Sequence, residues 1–390
     1  MTASANTLPS TRDLRIDFFR GIALVMIFAN HVPGNPLSAF TQRNWGLSDS
    51  ADVFVLLAGI SSALAYGRFF DRGAAGAGVM AVFSRIWSLY IMHLMMFLVI
   101  AGLCVLGAER LNDPTYLEIL GIDVFLQAPA GFIVDVVTLR FLPGYLDILP
   151  LYIILLAMVP VLVSLTRRHW LLPLLLSLGF YAGANFGGLN LPNTRTASAW
   201  FFNPFAWQLL FVIGFSLGRA IQGHSPVGRI GPGMRRALTA LAALVTLAGI
   251  VLAAPWREID GLENAFLVNP ALLGAFSKTN FHPTRLLDLM AKFWLVLVLV
   301  PAASPWLRSA IAAPFVWMGQ HSLEVFVLGN VLAVAGGILA TAYGFQPWLM
   351  IAINAFGIGA MLGLAALLEW RKTAMASLAA RPRSMQVAAE

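Results

Sequence analysis

The chain has little charge and almost no cysteine. Only 11% of its 390 residues are Asp, Glu, Lys or Arg, whereas 59% are hydrophobic. A soluble domain carries roughly twice that share of charge. This composition excludes a soluble globular enzyme, a disordered protein and a collagen-like fibre. The single cysteine, Cys104, allows no intramolecular disulfide and no thiolate metal site. We expect an integral membrane protein with no metal and no permanently bound cofactor.

Motifs of several enzyme classes are also missing. The chain has no P-loop, no Gly-x-Gly-x-x-Gly opening a nucleotide-binding fold, no His-Glu-x-x-His and no Gly-x-Ser-x-Gly. ATP-driven transport, zinc proteolysis and nucleophile-elbow hydrolysis therefore have no support. The net charge of +7 would suit a nucleic-acid partner. However, the basic residues are spread over short segments between apolar runs, so we expect no nucleic-acid partner.

Ten stretches are candidates for crossing a bilayer, which takes about 20 mostly apolar residues each. The first has a short apolar core, Gly21–Val32, and its alternative interpretation is the hydrophobic region of a signal peptide. With the N-terminus inside, the inner segments hold seventeen Lys and Arg and the outer segments hold seven, as the positive-inside rule requires. The predicted fold is an all-α integral membrane protein of about ten transmembrane helices with both termini cytoplasmic. Residues 1–372 form one membrane domain, and residues 373–390 form a mobile tail. The predicted spans are 16–33, 51–70, 82–107, 145–166, 169–187, 200–220, 234–253, 286–304, 312–341 and 347–369.

The first predicted helix carries a cation and an imidazole on one face. Arg20 and His31 are eleven residues apart, which on a helix means the same face and a rise of about 16 Å. The topology places Arg20 at the cytoplasmic edge and His31 near the outer edge. Histidine supplies a general base near neutral pH without help. In the alternative, Arg20 reaches to lipid headgroups and His31 marks the interface.

Acidic residues precede the second helix. Asp49 or Asp52 can cap this helix by accepting from its free N–H groups. If the chain turns back after His31, the same carboxylates lie at the depth of the imidazole and can fix its tautomer. Capping and catalysis are compatible.

Two outer loops, 108–144 and 254–285, are long, and long loops tend to be functional. The second contains Lys278, Asn280 and Arg285 among neutral hydrogen-bonding residues. This stretch can hold an anion or a polyol, or it can be an ordinary solvated loop.

Further ionisable residues fall within predicted spans, where charge is costly. Asp288 and Lys292 are at positions i and i+4 and can neutralise one another. His321 and Glu324 are three residues apart near the cytoplasmic side. They are either functional or a structural hydrogen-bonded pair.

The first two helices resemble those of the membrane-bound acyltransferase-3 superfamily, in the spacing of Arg20 and His31 and in the run Ala51–Gly59. More narrowly, four segments look like the OpgC-type branch: Leu14–Gly21, Leu47–Gly59, Ser277–Leu287 and Gly319–Phe326. The resemblance spans almost the whole chain. One departure is in the third helix, where the Arg-x-x-Arg common in the superfamily is Arg85 followed by Ser88.

The resemblance implies a bundle like that of acyltransferase-3 proteins in a bacterial inner membrane. It implies transfer of a succinyl group from cytoplasmic succinyl-CoA to glucose hydroxyls of a periplasmic β-glucan. His31 would be the base, with Asp52 or Asp49 orienting it and Asn30 in support. The donor would be bound by Arg20, Arg85, His321 and Glu324. The acyl group or the acceptor would be bound by Lys278, Asn280 and Arg285.

Other functions stay open at this point. An O-acetyltransferase would use acetyl-CoA with the same machinery. A proton-coupled transporter would use His31, Asp52, Asp288 and Glu324 as a relay, although such folds usually show internal repeats and none is visible here. A non-catalytic scaffold leaves the charged first helix unexplained. The expected partners are the lipid bilayer, acyl-CoA and the glucan; homodimerisation stays open.

Overall fold

A computed structural model describes residues 12–195, 198–221, 230–258, 262, 265 and 277–379. These residues form fifteen α-helices and one antiparallel pair of two-residue strands. The helices are α1 (Leu14–His31), α2 (Ser50–Asp71), α3 (Ala75–Leu111), α4 (Thr115–Leu120), α5 (Ile122–Gln127), α6 (Pro129–Val137), α7 (Ile148–Ala157), α8 (Val159–Arg168), α9 (Leu172–Phe186), α10 (Pro204–Ile221), α11 (Pro232–Ala253), α12 (Pro283–Leu299), α13 (Ala313–Gln320), α14 (Ser322–Tyr343) and α15 (Pro347–Ala379). The strands are β1 (Pro192–Asn193) and β2 (Ser198–Ala199).

Six of the described helices are long and apolar enough to cross a bilayer, namely α2, α3, α10, α11, α14 and α15. The pair α7 and α8, bent by 41°, makes a seventh if it counts as one span. The chain is therefore a multi-pass α-helical membrane protein, as predicted. Three further predicted spans correspond to α1, which carries three charged residues, and to α9 and α12, with 15 and 17 residues. Ten crossings and the orientation stay predictions.

Two predicted spans are wrong as continuous helices. The span 145–166 breaks at Met158 between α7 and α8, and Pro160 lies in the first turn of α8. Proline has no N–H to donate to the preceding turn. The span 312–341 breaks at His321, whose φ of −109° and ψ of 38° are not helical. At the C-terminus, α15 continues to Ala379, so the first residues of the predicted tail are helical, and residues 380–390 lie outside the described part.

Local sequence signals explain where the helices of the site begin and end. The Asp13 side chain accepts from the N–H of Arg15 at the start of α1. That helix ends at His31, two residues before Pro33, and the residue preceding a proline is disfavoured in a helix. Asp49 caps α2 in a reciprocal arrangement with Asp52. These ends place His31 and the two carboxylates at opposite ends of the connection between α1 and α2.

Glycines let the central helices approach closely. A Cβ atom on Gly59 of α2 would collide with the carbonyl oxygen of Phe211, and one on Gly214 of α10 would collide with that of Leu56. One on Gly218 would lie 2.7 Å from the carbonyl oxygen of Ile60. The spacing of Gly214 and Gly218 is the small-x-x-x-small pattern typical of packed membrane helices. This contact holds α2, and with it the capping carboxylates, against α10.

The close contact between α2 and α10 predicts that one added methyl group at this contact destabilises the protein. Gly214→Ala should destabilise the protein by about 1–3 kcal/mol, because the added Cβ forces two backbones apart. The midpoint of thermal unfolding in detergent micelles should fall. Gly359→Ala in α15 is the matched control, since its Cβ would meet nothing within 4 Å. A Gly214→Ala protein that melts like the control would contradict the tight packing.

Candidate active site

His31 is the last residue of α1, and two side chains fix its ring. The Nδ1 atom lies 2.6 Å from Oδ1 of Asn330 in α14. The ring of Tyr145 stacks on the imidazole, with centroids 4.3 Å apart and planes 21° apart. The imidazole is only partly buried. Its position is therefore determined by elements far apart in the sequence.

The Asn330 amide selects the tautomer of His31. Asn330 is 2% exposed, and its Nδ2 donates to the sulfur of Met96 over 3.7 Å. This orientation turns the carbonyl oxygen toward His31, so Nδ1–H donates and Nε2 carries the lone pair. Among the described residues no protein group bonds Nε2. A neutral imidazole with a free Nε2 is a competent general base.

Tyr145 adopts a backbone conformation that non-glycine residues rarely take. Its φ is +67°, in the left-handed region. The preceding Gly144 donates its N–H to the carbonyl oxygen of Leu120 in α4, over 3.1 Å. Such strain costs about 1–3 kcal/mol and concentrates at functional sites. The loop before α7 thus holds an aromatic ring against the histidine at an energetic cost.

Four charged side chains join the start of α2 to the start of α12. Lys278 Nζ lies 2.5 Å from Oδ2 of Asp49, and Arg285 Nη2 lies 2.6 Å from Oδ2 of Asp52 and 3.2 Å from Oδ2 of Asp49. Asp52 is completely buried and also accepts from the backbone N–H of Asp49. Burial alone would raise the pKa of Asp49, but the two cations hold it well below its ordinary value. The two positive charges balance the two negative charges.

This pairing changes the expected role of the carboxylates. The hydrogen bond on His31 Nδ1 that the sequence assigns to Asp52 or Asp49 is made by Asn330 instead. Asp49 and Asp52 both cap α2, as the sequence allows, and both bind cations. Asp49 and Lys278 are still close enough to His31 to act on it electrostatically. The carboxylates therefore lie beside the base without bonding it.

Two predicted site residues serve the scaffold around this cluster. Asn280 accepts from Nδ2 of Asn203 through its side-chain oxygen, over 2.9 Å. Asn30 accepts from the hydroxyl of Thr41 over 2.9 Å, which ties the α1–α2 connection to the end of α1. In these contacts both amides position neighbouring loops.

Arg20 is partly buried and faces α2. Its Nη2 donates to the hydroxyl of Ser61 at 2.6 Å and to the carbonyl oxygen of Leu57 at 3.2 Å. Those partners are about 10–16 Å along α2 from its start. Arg85 is partly buried and close enough to Arg20 to act on it electrostatically. Tyr152 is also within that range of Arg20. The charge of Arg20 is thus satisfied by neutral oxygens of α2.

His321, expected near Glu324, pairs with Glu369 instead. His321 Nε2 lies 3.1 Å from a carboxylate oxygen of Glu369 in α15, and Lys372 bonds the same oxygen at 2.9 Å. Glu324 lies in the first turn of the next helix, α14. The partner of His321 is therefore a residue 48 positions away, since the chain leaves the helix at His321.

Asp288 and Lys292 neutralise one another at 2.7 Å, as their spacing predicts. Asp288 also accepts from the backbone N–H of Ser48 at 2.8 Å. Lys292 lines a cavity of about 250 Å³ between α1, α2 and α12. Most of its lining is apolar, with Arg15 toward the start of α1 and Gln42 beyond its end. The cavity follows the face of α1 beside the Arg20–His31 stripe.

Sequence reasoning missed Asn330, Tyr145 and Glu369. Asn330 stands in an apolar run of α14, so a lone amide there was the available signal. Tyr145 follows Pro143-Gly144 in one of the long loops, which marks a turn but not a ring against a histidine.

These helices describe a multi-pass membrane protein with a half-buried histidine at the end of its first helix. A family model described as OpgC protein matches residues 12–373. The chain belongs to the OpgC family. No curated protein matches the sequence. Membership supports a transferase of the acyltransferase class with a role in modifying osmoregulated periplasmic glucans.

The four-charge cluster predicts a large stability loss when one cation is removed. Arg285→Met should cost about 3–5 kcal/mol, because Asp52 keeps a buried charge without its partner. The midpoint of thermal unfolding in detergent should fall accordingly. The double variant Arg285→Met/Asp52→Asn should recover part of the loss. Arg140→Met is the control, since that side chain is 57% exposed and lies 3.6 Å from Asp135; such surface pairs contribute about 0–1 kcal/mol.

Proposed function

We propose that the protein transfers a succinyl group from succinyl-CoA to a glucose hydroxyl of a periplasmic β-glucan, across the bacterial inner membrane. One observation carries the proposal. His31 is held by the neutral amide of Asn330 with Nε2 left open, which is the arrangement a general base requires. Family membership supplies the acyltransferase class and the glucan.

The proposed reaction is a direct transfer. His31 Nε2 accepts the proton of the acceptor hydroxyl while the oxygen of that hydroxyl attacks the thioester carbonyl carbon. An ester C–O bond forms and the C–S bond breaks. The leaving thiolate takes a proton from the imidazolium, and coenzyme A departs as the free thiol. Protons and electron pairs balance without a cofactor, and His31 returns to its starting state.

The donor enters from the cytoplasmic side. Arg20 and Arg85 provide cations for the phosphates of coenzyme A, and neither has a carboxylate partner among the described residues. The rise from Arg20 to His31 is about 16 Å, a distance that an extended pantetheine arm covers. The cavity beside this stripe gives α1 a face that is not fully packed. His321 and Glu324 complete the proposed donor side, with His321 acting through Glu369.

On the acceptor side, Lys278 and Asn280, in the segment that leads into α12, face the glucan in this proposal. Lys278 is 33% exposed, and its Nζ lies 5.4 Å from the ring centre of Phe202. Arg285 is only 10% exposed and is bound by both carboxylates. Its contribution is to hold the loop that carries the other two residues.

The contacts disfavour the transporter alternative. A proton relay needs His31, Asp52 and Asp288 to exchange protons along a chain. In the described residues Asp52 bonds Arg285, Asp288 bonds Lys292 and Ser48, and His31 bonds Asn330. Each group thus has its own partner, and the relay has no connecting hydrogen bonds.

The direct test uses purified protein in lipid nanodiscs with succinyl-CoA and a β-glucan. We expect release of free thiol and a succinyl mass increase on the glucan, and loss of both in His31→Ala at normal expression. Acetyl-CoA is assayed in parallel. Transfer from acetyl-CoA but not from succinyl-CoA would overturn the assignment of the donor. The absence of transfer from both donors would overturn the proposed activity.

The His31–Asn330 bond makes a separate kinetic prediction. Asn330→Leu should lower kcat by about 10- to 100-fold, part of the contribution of a general base, with little change in KM for the donor. Asn354→Leu is the matched control, because this buried amide bonds Asn35 and not the histidine. An equal loss of kcat in both variants would mean that Asn330 acts through folding alone.

A further inference from the structure

The distal carboxylate of a succinyl group must lie close to the base. Only two methylene groups separate it from the thioester carbonyl that the acceptor attacks. A buried or partly buried carboxylate needs a cation or strong hydrogen-bond donors. The cation that binds this group must therefore lie close to His31.

The cations expected from the sequence are already neutralised. Lys278 and Arg285 face Asp49 and Asp52, two charges against two. Lys292 is paired with Asp288. Recruiting any of them would leave a carboxylate without its partner, which is costly at low dielectric.

Arg43 differs from these three cations in its pairing. It lies in the short 3-10 turn Gln42–Asn44 on the connection between α1 and α2, and its side chain is exposed. Within the described part of the chain no carboxylate pairs with it. The turn that carries it lies beside the end of α1, because Thr41, two residues before Arg43, bonds Asn30, the residue before His31; the charge of Arg43 also contributes to the electrostatic surroundings of His31 and Tyr145.

The turn that carries Arg43 is anchored on both sides. Thr41 donates to Asn30, the neighbour of His31, at 2.9 Å. Gln42 donates to the hydroxyl of Ser48 at 2.8 Å, and Nδ2 of Asn44 donates to the carbonyl oxygen of Ser38 at 2.9 Å. Its neighbours in the chain are thus fixed while the Arg43 side chain itself remains available.

We propose that Arg43 binds the distal carboxylate of the acyl group and so selects succinyl over uncharged acyl groups. This inference rests on the proposed function and adds its specificity-determining residue. The planar guanidinium can take a carboxylate in a two-point hydrogen bond, a geometry that lysine does not offer. Binding the acyl tail here places the thioester carbonyl beside His31.

The test compares Arg43→Gln with wild type in nanodiscs, with free coenzyme A as a competitive inhibitor. The inhibitor shares every feature of the donor except the acyl group. We expect KM for succinyl-CoA to rise about 10- to 100-fold, the effect of losing a hydrogen bond to a charged group. The inhibition constant of free coenzyme A should stay unchanged. Arg43→Lys should recover part of the affinity.

Butyryl-CoA, which has four acyl carbons and no distal carboxylate, provides the second comparison. Its kcat/KM relative to that of succinyl-CoA should rise in Arg43→Gln. Arg110→Gln, which removes another exposed cation at the end of α3, should leave the ratio unchanged.

The outcomes separate the two proposals. Normal succinyl transfer by Arg43→Gln would overturn the role of Arg43 and leave the proposed activity standing. A rise in KM for succinyl-CoA matched by weaker binding of free coenzyme A would also overturn it, because the defect would not concern the acyl tail. A wild-type protein that transfers no succinyl group would overturn both.

Discussion

The ion pairs that join the start of α2 to the start of α12 and to Lys278 just before it fix the geometry on which the rest of the site depends. Arg285 and Asp52 are 233 positions apart in the chain and meet at 2.6 Å where Asp52 is fully buried. Either charge alone would be strongly unfavourable at that depth, so the two segments cannot separate without a large cost. The same contact sets where the α1–α2 connection runs, and with it the positions of Asn30 and Thr41 beside the histidine.

The choice of an amide as the partner of His31 has a chemical consequence. A carboxylate at 2.6 Å in a low-dielectric site would favour the imidazolium, which cannot accept a proton. Asn330 accepts the Nδ1 hydrogen without adding charge, so the ring is oriented and stays neutral. The acids that the sequence places near the histidine are held away by Lys278 and Arg285. The neutral hydrogen-bond partner of the histidine thus results from the packing of α1 against α14.

The fold was largely predictable, because hydropathy and helix signals are local. Asp49 marks the start of α2 through a capping pattern that spans only four residues. The exceptions have identifiable causes. Met158 precedes the proline turn of α8, and His321 leaves the helix where α13 packs against α1 through Gly319, whose Cβ would collide with the carbonyl oxygen of Asp17. The second break depends on a neighbour that a single helix cannot reveal.

The sequence by itself determined the membrane class, most helices and the set of costly ionisable residues, because burying charge in hydrocarbon is expensive wherever it occurs. It also determined that Arg20 and His31 share a face of α1, since helix geometry is fixed by spacing. Only the tertiary structure decided which charges neutralise one another and which group holds the histidine. Those partners are brought together by helix packing, and a neutral amide such as Asn330 carries too little energetic cost to be recognised before the helices are assembled.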